Sequence, residues 1–226
     1  MSSKYYIGDC EELIKELSGN SVDMIYTNFP FATTANTWDK NINFKELFPE
    51  MYRVTKPTGN IVLHAAIPFT YRLIEIERPS YNWVWEKGRP TGHLNAKKEP
   101  LRNLEEILIY KTTPAAKYNP QMRGSQLYKS KRTNPAGSNY LQKQKSYESE
   151  HRGKYPTTFL GKYSYVSQKQ TPKSIPRELT IEMLRTYSDV GDTILDLTCC
   201  SRENGDIAIE LERNYIGIDI SDEFLK

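Results

Sequence analysis

Apolar residues recur along this chain at two spacings, and the switching between them predicts its elements. Leu13, Ile14 and Leu17 mark a short helix over 11–17. The compact apolar run 22–26 reads as a strand. Phe44, Leu47, Phe48, Met51 and Val54 then repeat at helical spacing, and Pro57 with Gly59 are expected to end that helix. Residues 61–66 are almost continuously apolar, the pattern of a strand buried on both faces. Pro68 suits the first turn of a helix over 68–76. Further strands are expected at 83–86 and 107–110, where Trp83 and Trp85 share one face as packing residues. Leu179, Met183, Leu184 and Tyr187 form the inner face of a helix over 177–187. A strand (193–197), a helix (205–211) and a strand (215–219) follow. Strands alternating with helices predict an α/β fold, a mainly parallel sheet with helices on both faces. Such sheets bind ligands beyond the carboxyl ends of their strands.

Composition bounds the picture. The 226 residues suit one domain, or one domain carrying an insertion. No apolar run approaches the roughly 20 residues of a membrane helix. The opening Met1-Ser2-Ser3-Lys4-Tyr5-Tyr6 has no apolar signal core, so a cytoplasmic protein without membrane contact is expected. Cys10, Cys199 and Cys200 form neither a disulfide framework nor a metal pattern, which suits a reducing compartment. A bridge between adjacent cysteines is strained, so Cys199 and Cys200 are read as thiols. His64, His93 and His151 lack ligand spacing, and no metal is expected.

The net charge of +3 conceals a division. Residues 111–155 hold ten Lys or Arg against only Glu148 and Glu150, so this segment is +8 and the remainder −5. Tyr118, Tyr128, Tyr140, Tyr147 and Tyr155 are interleaved with the cations. Two readings stand. Basic and aromatic residues together suit a surface that contacts phosphates and stacks on bases. The same composition suits a solvated, partly disordered insertion.

Three expected strand ends carry acids: Asp9, Asp196 and Asp219. After Asp196 comes a tight loop, Leu197 to Gly205, and then a helix, the shape of a nucleotide-binding turn. Asp219 closes the next strand at a spacing suited to ribose hydroxyls. Singly, such acids are more often helix caps. Near the N-terminus, Asn28-Phe29-Pro30-Phe31 follows a strand. An exocyclic amino group on a base is a poor nucleophile, because its lone pair is delocalised into the ring. A side-chain oxygen and a backbone carbonyl accepting its N–H groups offset the charge that develops during attack. Asn28 and the carbonyl of Phe29 could fill those roles, with the ring of Phe31 stacked on an extruded base. The bland reading is a turn with two core phenylalanines.

With these motifs in place, the whole chain resembles the permuted (beta-class) amino-methyltransferases, which methylate adenine N6 or cytosine N4 in DNA using S-adenosylmethionine. The opening Tyr5 to Leu13, the tetrapeptide at Asn28, the stretch Thr91 to Arg102 in its bacterial and phage form, and Asp196 to Asp219 carry the likeness. Thr171-Pro172-Lys173 resembles another family segment loosely. The resemblance implies a Rossmann-like methyltransferase fold. Its catalytic half would be 1–110, a basic target-recognition insertion 111–155, and the cofactor-binding half 156–226. It implies an adenine-N6 DNA methyltransferase of the restriction–modification kind, acting on double-stranded DNA by flipping the target base. Asn28, Phe29, Pro30 and Phe31 would be catalytic. Asp9, Asp196, Cys199, Cys200, Ser201 and Asp219 would hold S-adenosylmethionine. Lys97, Lys98, Arg102, Arg123, Lys129, Lys131 and Arg132 would contact DNA. A homodimer, or pairing with a methyltransferase homologue, is the oligomeric form it suggests. Relatives continue one helix beyond the last strand, so a truncated C-terminus is an expectation.

The loop after Asp196 departs from the family, where glycines stand at the positions of Cys200 and Arg202 and an aromatic or apolar residue at Thr198. A Cβ at a left-handed position costs roughly 1–2 kcal/mol. An arginine adds bulk and positive charge near a cationic sulfonium, and Thr198 removes a packing surface. Two functions therefore compete: a working methyltransferase with an unusual cofactor loop, or a catalytically inactive homologue that binds DNA or a partner.

Overall fold

The computed structural model describes residues 1–32, 41–134, 145–163 and 175–223. Two compact units are present, Met1–Asn119 with Thr158–Lys226, and Pro120–Thr157. The larger unit runs β1 (Ser3–Ile7), α1 (Cys10–Glu16), β2 (Val22–Thr27), α2 (Phe44–Val54), β3 (Thr55–Ala65), α3 (Phe69–Ile76), β4 (Tyr81–Thr91) and β5 (Arg102–Lys111). The smaller unit is a hairpin of β6 (Arg123–Asn134) and β7 (Lys145–Lys154). The chain then returns to the larger unit as β8 (Phe159–Tyr163), α4 (Arg177–Tyr187), β9 (Thr193–Asp196), α5 (Glu203–Glu210) and β10 (Asn214–Asp219).

Eight strands form one sheet in the order β1-β10-β9-β2-β3-β5-β4-β8. Within that sheet, among the described residues, only the pairings of β5 with β3 and β4 are antiparallel. Strand side chains alternate between faces, and this splits the apolar runs into two cores. Ile25, Ile61, Leu63, Ala65 and Leu195 join one core with residues of α1, α2 and α3. Met24, Tyr26, Val62 and Ile194 join the other with residues of α4 and α5. Trp83 and Trp85 are buried in that second core, as their spacing predicts.

Several boundaries differ from expectation. Pro57 and Gly59 do not end α2; both lie inside β3. The helix stops because Thr55 turns extended, its hydroxyl donating to the Met51 carbonyl at 2.7 Å. Gly59 serves a close approach instead, since a Cβ there would lie 2.5 Å from the Asp23 carbonyl oxygen. Helix α5 begins at Glu203, two residues before the expected Gly205. Strand β8 carries no clear alternation, and it forms by pairing parallel with β4. The described part of 111–155 is not irregular: most of it is the antiparallel hairpin β6–β7. Tyr140 and Lys143 lie outside the described residues, as does Thr171-Pro172-Lys173. Among the described residues, no helix is long and apolar enough to cross a membrane.

An ion cluster closes the sheet where β2 and β9 begin. Lys117 Nζ lies 2.5 Å from Asp192, 3.3 Å from Asp189 and 3.9 Å from Asp23. Asp23 also accepts from Lys56 (2.8 Å) and from the backbone N–H of Thr193 (3.0 Å).

Candidate active site

The candidate residues gather at the other end of the same strands. Parallel pairing sets Ile7 beside Asp219 and Gly217 beside Asp196, so the ends of β1, β10 and β9 are neighbours. Asp9 is exposed and caps α1, its Oδ1 accepting from the Glu11 N–H at 2.8 Å. Asp219 accepts from the Cys200 N–H at 2.8 Å and from the Ser221 N–H at 3.1 Å. A carboxylate has about four acceptor sites, so Asp219 keeps capacity for hydroxyl groups.

Asp196 is placed differently. It is 1% exposed. It accepts from the Thr198 N–H (3.2 Å), Asn204 Nδ2 (3.0 Å) and the Tyr215 hydroxyl (3.1 Å). Burial pushes its carboxyl above the ordinary range, opposed by hydrogen bonds from Asn204, Thr27, Thr198 and Tyr215. Asp196 thus clamps the loop from beneath.

The departures in that loop behave unequally. Cys200 has φ of 57°, so the left-handed turn survives with a Cβ in it. Arg202 has φ of −79° and carries no such strain. Its guanidinium carbon lies 5.4 Å from the centre of the Tyr5 ring. Its charge is thus held over an aromatic face. Cys199 is buried, its N–H donating to the Ile218 carbonyl at 2.9 Å, and burial pushes its thiol up. Ser201 Oγ accepts from the Glu203 N–H at 3.4 Å. Gly205 is needed because α5 lies directly on Tyr5 and Tyr215; a Cβ would meet the Tyr5 hydroxyl and come within 2.9 Å of the Tyr215 ring.

Thr198 does more than remove an apolar surface. Its hydroxyl donates to the Asn28 carbonyl at 3.1 Å and lies 3.1 Å from the Thr27 hydroxyl. The loop after β9 is thereby tied to the turn after β2. In that turn Asn28 is half-buried, with Oδ1 closed off from solvent. Phe29 is 1% exposed and meets Phe44 edge-on at 5.1 Å. Pro30 is buried. Phe31 is half-buried and stacks on Phe69 at 4.9 Å and 22°. One of its faces is therefore already covered.

Behind the site runs a polar chain that sequence reading did not find. Asn204, which donates to Asp196, accepts from the Thr180 hydroxyl at 3.3 Å. Thr180 meets the Tyr26 hydroxyl at 3.2 Å, and Tyr26 meets His64 Nε2 at 3.1 Å. Burial lowers the His64 pKa from 6.5 to about 3, so the imidazole is neutral. These residues come from five elements and share no local spacing. The only signal was a histidine inside an apolar strand.

The expected DNA contacts divide between the units. Lys97, Lys98 and Arg102 are exposed at the turn after His93–Asn95 and the start of β5. Arg123, Lys129, Lys131 and Arg132 lie on β6. Lys129 pairs with Glu150 at 2.9 Å and Lys131 with Glu148 at 2.7 Å. The Arg132 side chain lies outside what is described.

Comparison with known proteins adds a lineage. A family model described as DNA methylase matches residues 22–226. The type II methyltransferase M.HpaI of Haemophilus parainfluenzae is 25% identical over 240 residues, covering 100% of this chain and 73% of its own. The type II methyltransferase M.BglII of Bacillus subtilis is 23% identical over 257 residues, covering 99% and 67%. Among solved structures, PvuII DNA methyltransferase (cytosine-N4-specific) matches with a TM-score of 0.72 and 15% identity, over 99% of this chain and 84% of that one. The M1.HpyAVI–SAM complex matches with a TM-score of 0.61 and 19% identity, over 98% and 94%. At such identities the structural likeness concerns fold alone.

Proposed function

Because the chain belongs to the DNA methylase family, we propose that it transfers a methyl group from S-adenosylmethionine to adenine N6 in double-stranded DNA. The observation that carries this reading is the Thr198 tie. It joins the loop expected to hold the cofactor to the turn expected to hold the target base. The residues present suit the cofactor. The left-handed turn at Cys200 is kept, Arg202 is drawn aside onto Tyr5, and Asp219 retains acceptor capacity. Asp219 is assigned to the ribose hydroxyls and Asp9 to the adenine amino group, with Cys199, Cys200 and Ser201 as the loop backbone. When bound, S-adenosylmethionine supplies an electrophilic methyl group.

The target base leaves the duplex, and one face of it rests on the Phe31 ring, on the side away from Phe69. Asn28 Oδ1 and the Phe29 carbonyl accept the N–H groups of the amine and favour its pyramidal, nucleophilic form. Positioning supplies most of the rate, and no covalent enzyme intermediate is required. Asn28 favours adenine, because asparagine replaces aspartate in other adenine methyltransferases that this motif resembles.

Incubation with tritiated S-adenosylmethionine and varied duplex DNA, followed by nucleoside analysis, tests this. N6-methyladenine is expected; N4-methylcytosine would overturn the choice of base, and no incorporation at high enzyme the choice of activity. One observation favours the second reading, an inactive homologue that holds DNA or a partner. Asn28 Oδ1 is closed off from solvent, so the turn must shift for a base to reach it. Saturable S-adenosylmethionine binding by calorimetry would count against that reading.

A further inference from the structure

The hairpin β6–β7 has two faces of different chemistry. Side chains alternate across paired strands. On one face Lys129 opposes Glu150 and Lys131 opposes Glu148, each joined by an ion pair. On the other, Tyr128 opposes His151 and Ser130 opposes Ser149. Tyr128 and His151 stack at 5.8 Å and 20°, and His151 meets Tyr155 at 5.0 Å. Ser130 and Ser149 share a 2.8 Å hydrogen bond, and Lys154 Nζ lies 5.9 Å from the Tyr128 ring centre. Glu148 and Glu150 are the only acids in 111–155, and both are on the first face. Among the described side chains, the second face presents hydroxyls, an imidazole and the Lys154 ammonium against the Tyr128 ring, and no carboxylate.

We propose that this second, acid-free face lies in the major groove of duplex DNA, with the ion-paired face turned outward. The proposal rests on the DNA methyltransferase reading and specifies how one unit of the chain meets the duplex. The major groove admits a two-stranded ribbon. Approach between two rows of phosphates favours the face that presents no negative charge. The hydroxyls of Ser130, Ser149 and Tyr128 and the imidazole of His151 are donors and acceptors suited to base edges. The aromatic ladder Tyr128–His151–Tyr155 holds itself in place, so little side-chain freedom is lost on binding. Lys129 and Lys131 would each have to leave a carboxylate before reaching a phosphate, so they contribute little to affinity.

The test uses the full chain and a mixed-sequence DNA duplex, with fluorescence anisotropy at about 0.1 M salt. Ser130→Glu and Ser149→Glu, made separately, each place one negative charge on the acid-free face. Lys129→Ala and Lys131→Ala each remove one positive charge from the other face. All four change net charge by one unit in the same direction. Each serine variant is expected to weaken binding on the order of tenfold, the loss of one phosphate's counterion release at that salt. Each lysine variant is expected to change it by less than about threefold. Matched melting curves check that the hairpin persists, and Ser130→Thr, which keeps the hydroxyl, should bind like the parent. Equal losses on both faces, or larger losses for the lysines, would overturn the assignment of the face. Equal affinity for duplex RNA, whose deep major groove is closed to side chains, would overturn the groove. A parent protein with no affinity for duplex DNA would overturn the DNA reading itself, and the proposal with it.

Discussion

Restoring glycine at Cys200 and at Arg202 should change stability in opposite directions. Both positions are glycine in the family the loop resembles, yet only Cys200 sits at positive φ, at 57°. Glycine there relieves roughly 1–2 kcal/mol of left-handed strain. Against this, the unfolded chain gains about 0.4–1 kcal/mol of freedom. Cys200→Gly should therefore stabilise the fold by about 0.5–1 kcal/mol. Arg202 is at φ of −79°, where glycine has no strain to release. Arg202→Gly loses the contact with Tyr5, about 0.5–1 kcal/mol at an exposed site, and adds the same unfolded-state freedom. Glycine's tolerance at a helix N-cap recovers part of that, leaving a loss of roughly 1 kcal/mol. Urea unfolding of the parent and both variants measures this, with midpoints compared at constant m-value. The midpoint should rise for Cys200→Gly and fall for Arg202→Gly. Shifts of the same sign for both would refute the claim that backbone conformation, rather than motif position, decides what each residue costs.

Other consequences can be measured on the same transition. His64 has a folded-state pKa lowered by burial to about 3 from 6.5, so its contribution is present above the unfolded value and is lost as pH falls below it. Stability should drop by roughly 1.4 kcal/mol per pH unit from this residue alone, and His64→Gln should flatten that slope; an unchanged slope would place the acid sensitivity elsewhere. Gly205→Ala should cost about 1–3 kcal/mol through overpacking, and Tyr5→Phe added to it should recover part, since the Tyr5 hydroxyl is the first atom met. Lys117→Met should cost roughly 2 kcal/mol, less than for a wholly buried pair because Lys117 keeps some solvent contact. Adding Asp192→Asn should then cost less than it does alone, a coupling that a double-mutant cycle reads directly.

What could be read from the sequence depended on whether the cause was local. The apolar repeat of α2 and the continuous run of β3 are properties of neighbouring residues; β3 contains the apolar run but starts earlier, at Thr55, and α2 appears where the pattern puts it. So does the adjacency of Asp196 and Asp219, because a strand–loop–helix–strand unit is itself local. Proline and glycine are common helix terminators, but Pro57 and Gly59 do not end α2, because Gly59 answers to the backbone of β2, a distant segment. Strand β8 exists through its partner β4 and has little pattern of its own. Thr198 was legible as a departure from the family but not as a tie to Asn28, 170 residues away. Arg202 shows the same limit: its charge was visible, but its direction depends on Tyr5 in the edge strand.

The pairing of β1 with β10 also sets an order of assembly. Ser3 is matched with Tyr215 and Ile7 with Asp219, and Met24 of β2 with Ile194 of β9. Contacts between such distant segments form late, because the loop between them must be closed before they repay its entropy. During synthesis, the turn carrying Asn28 leaves the ribosome long before β9 and β10, the strands that flank the loop after Asp196. The early strands β2 and β3 can pair at once, but the edge of β2 that will receive β9 stays open until Thr193–Asp196 has emerged. In cells, that waiting edge is where chaperone contact and premature strand pairing are expected to concentrate.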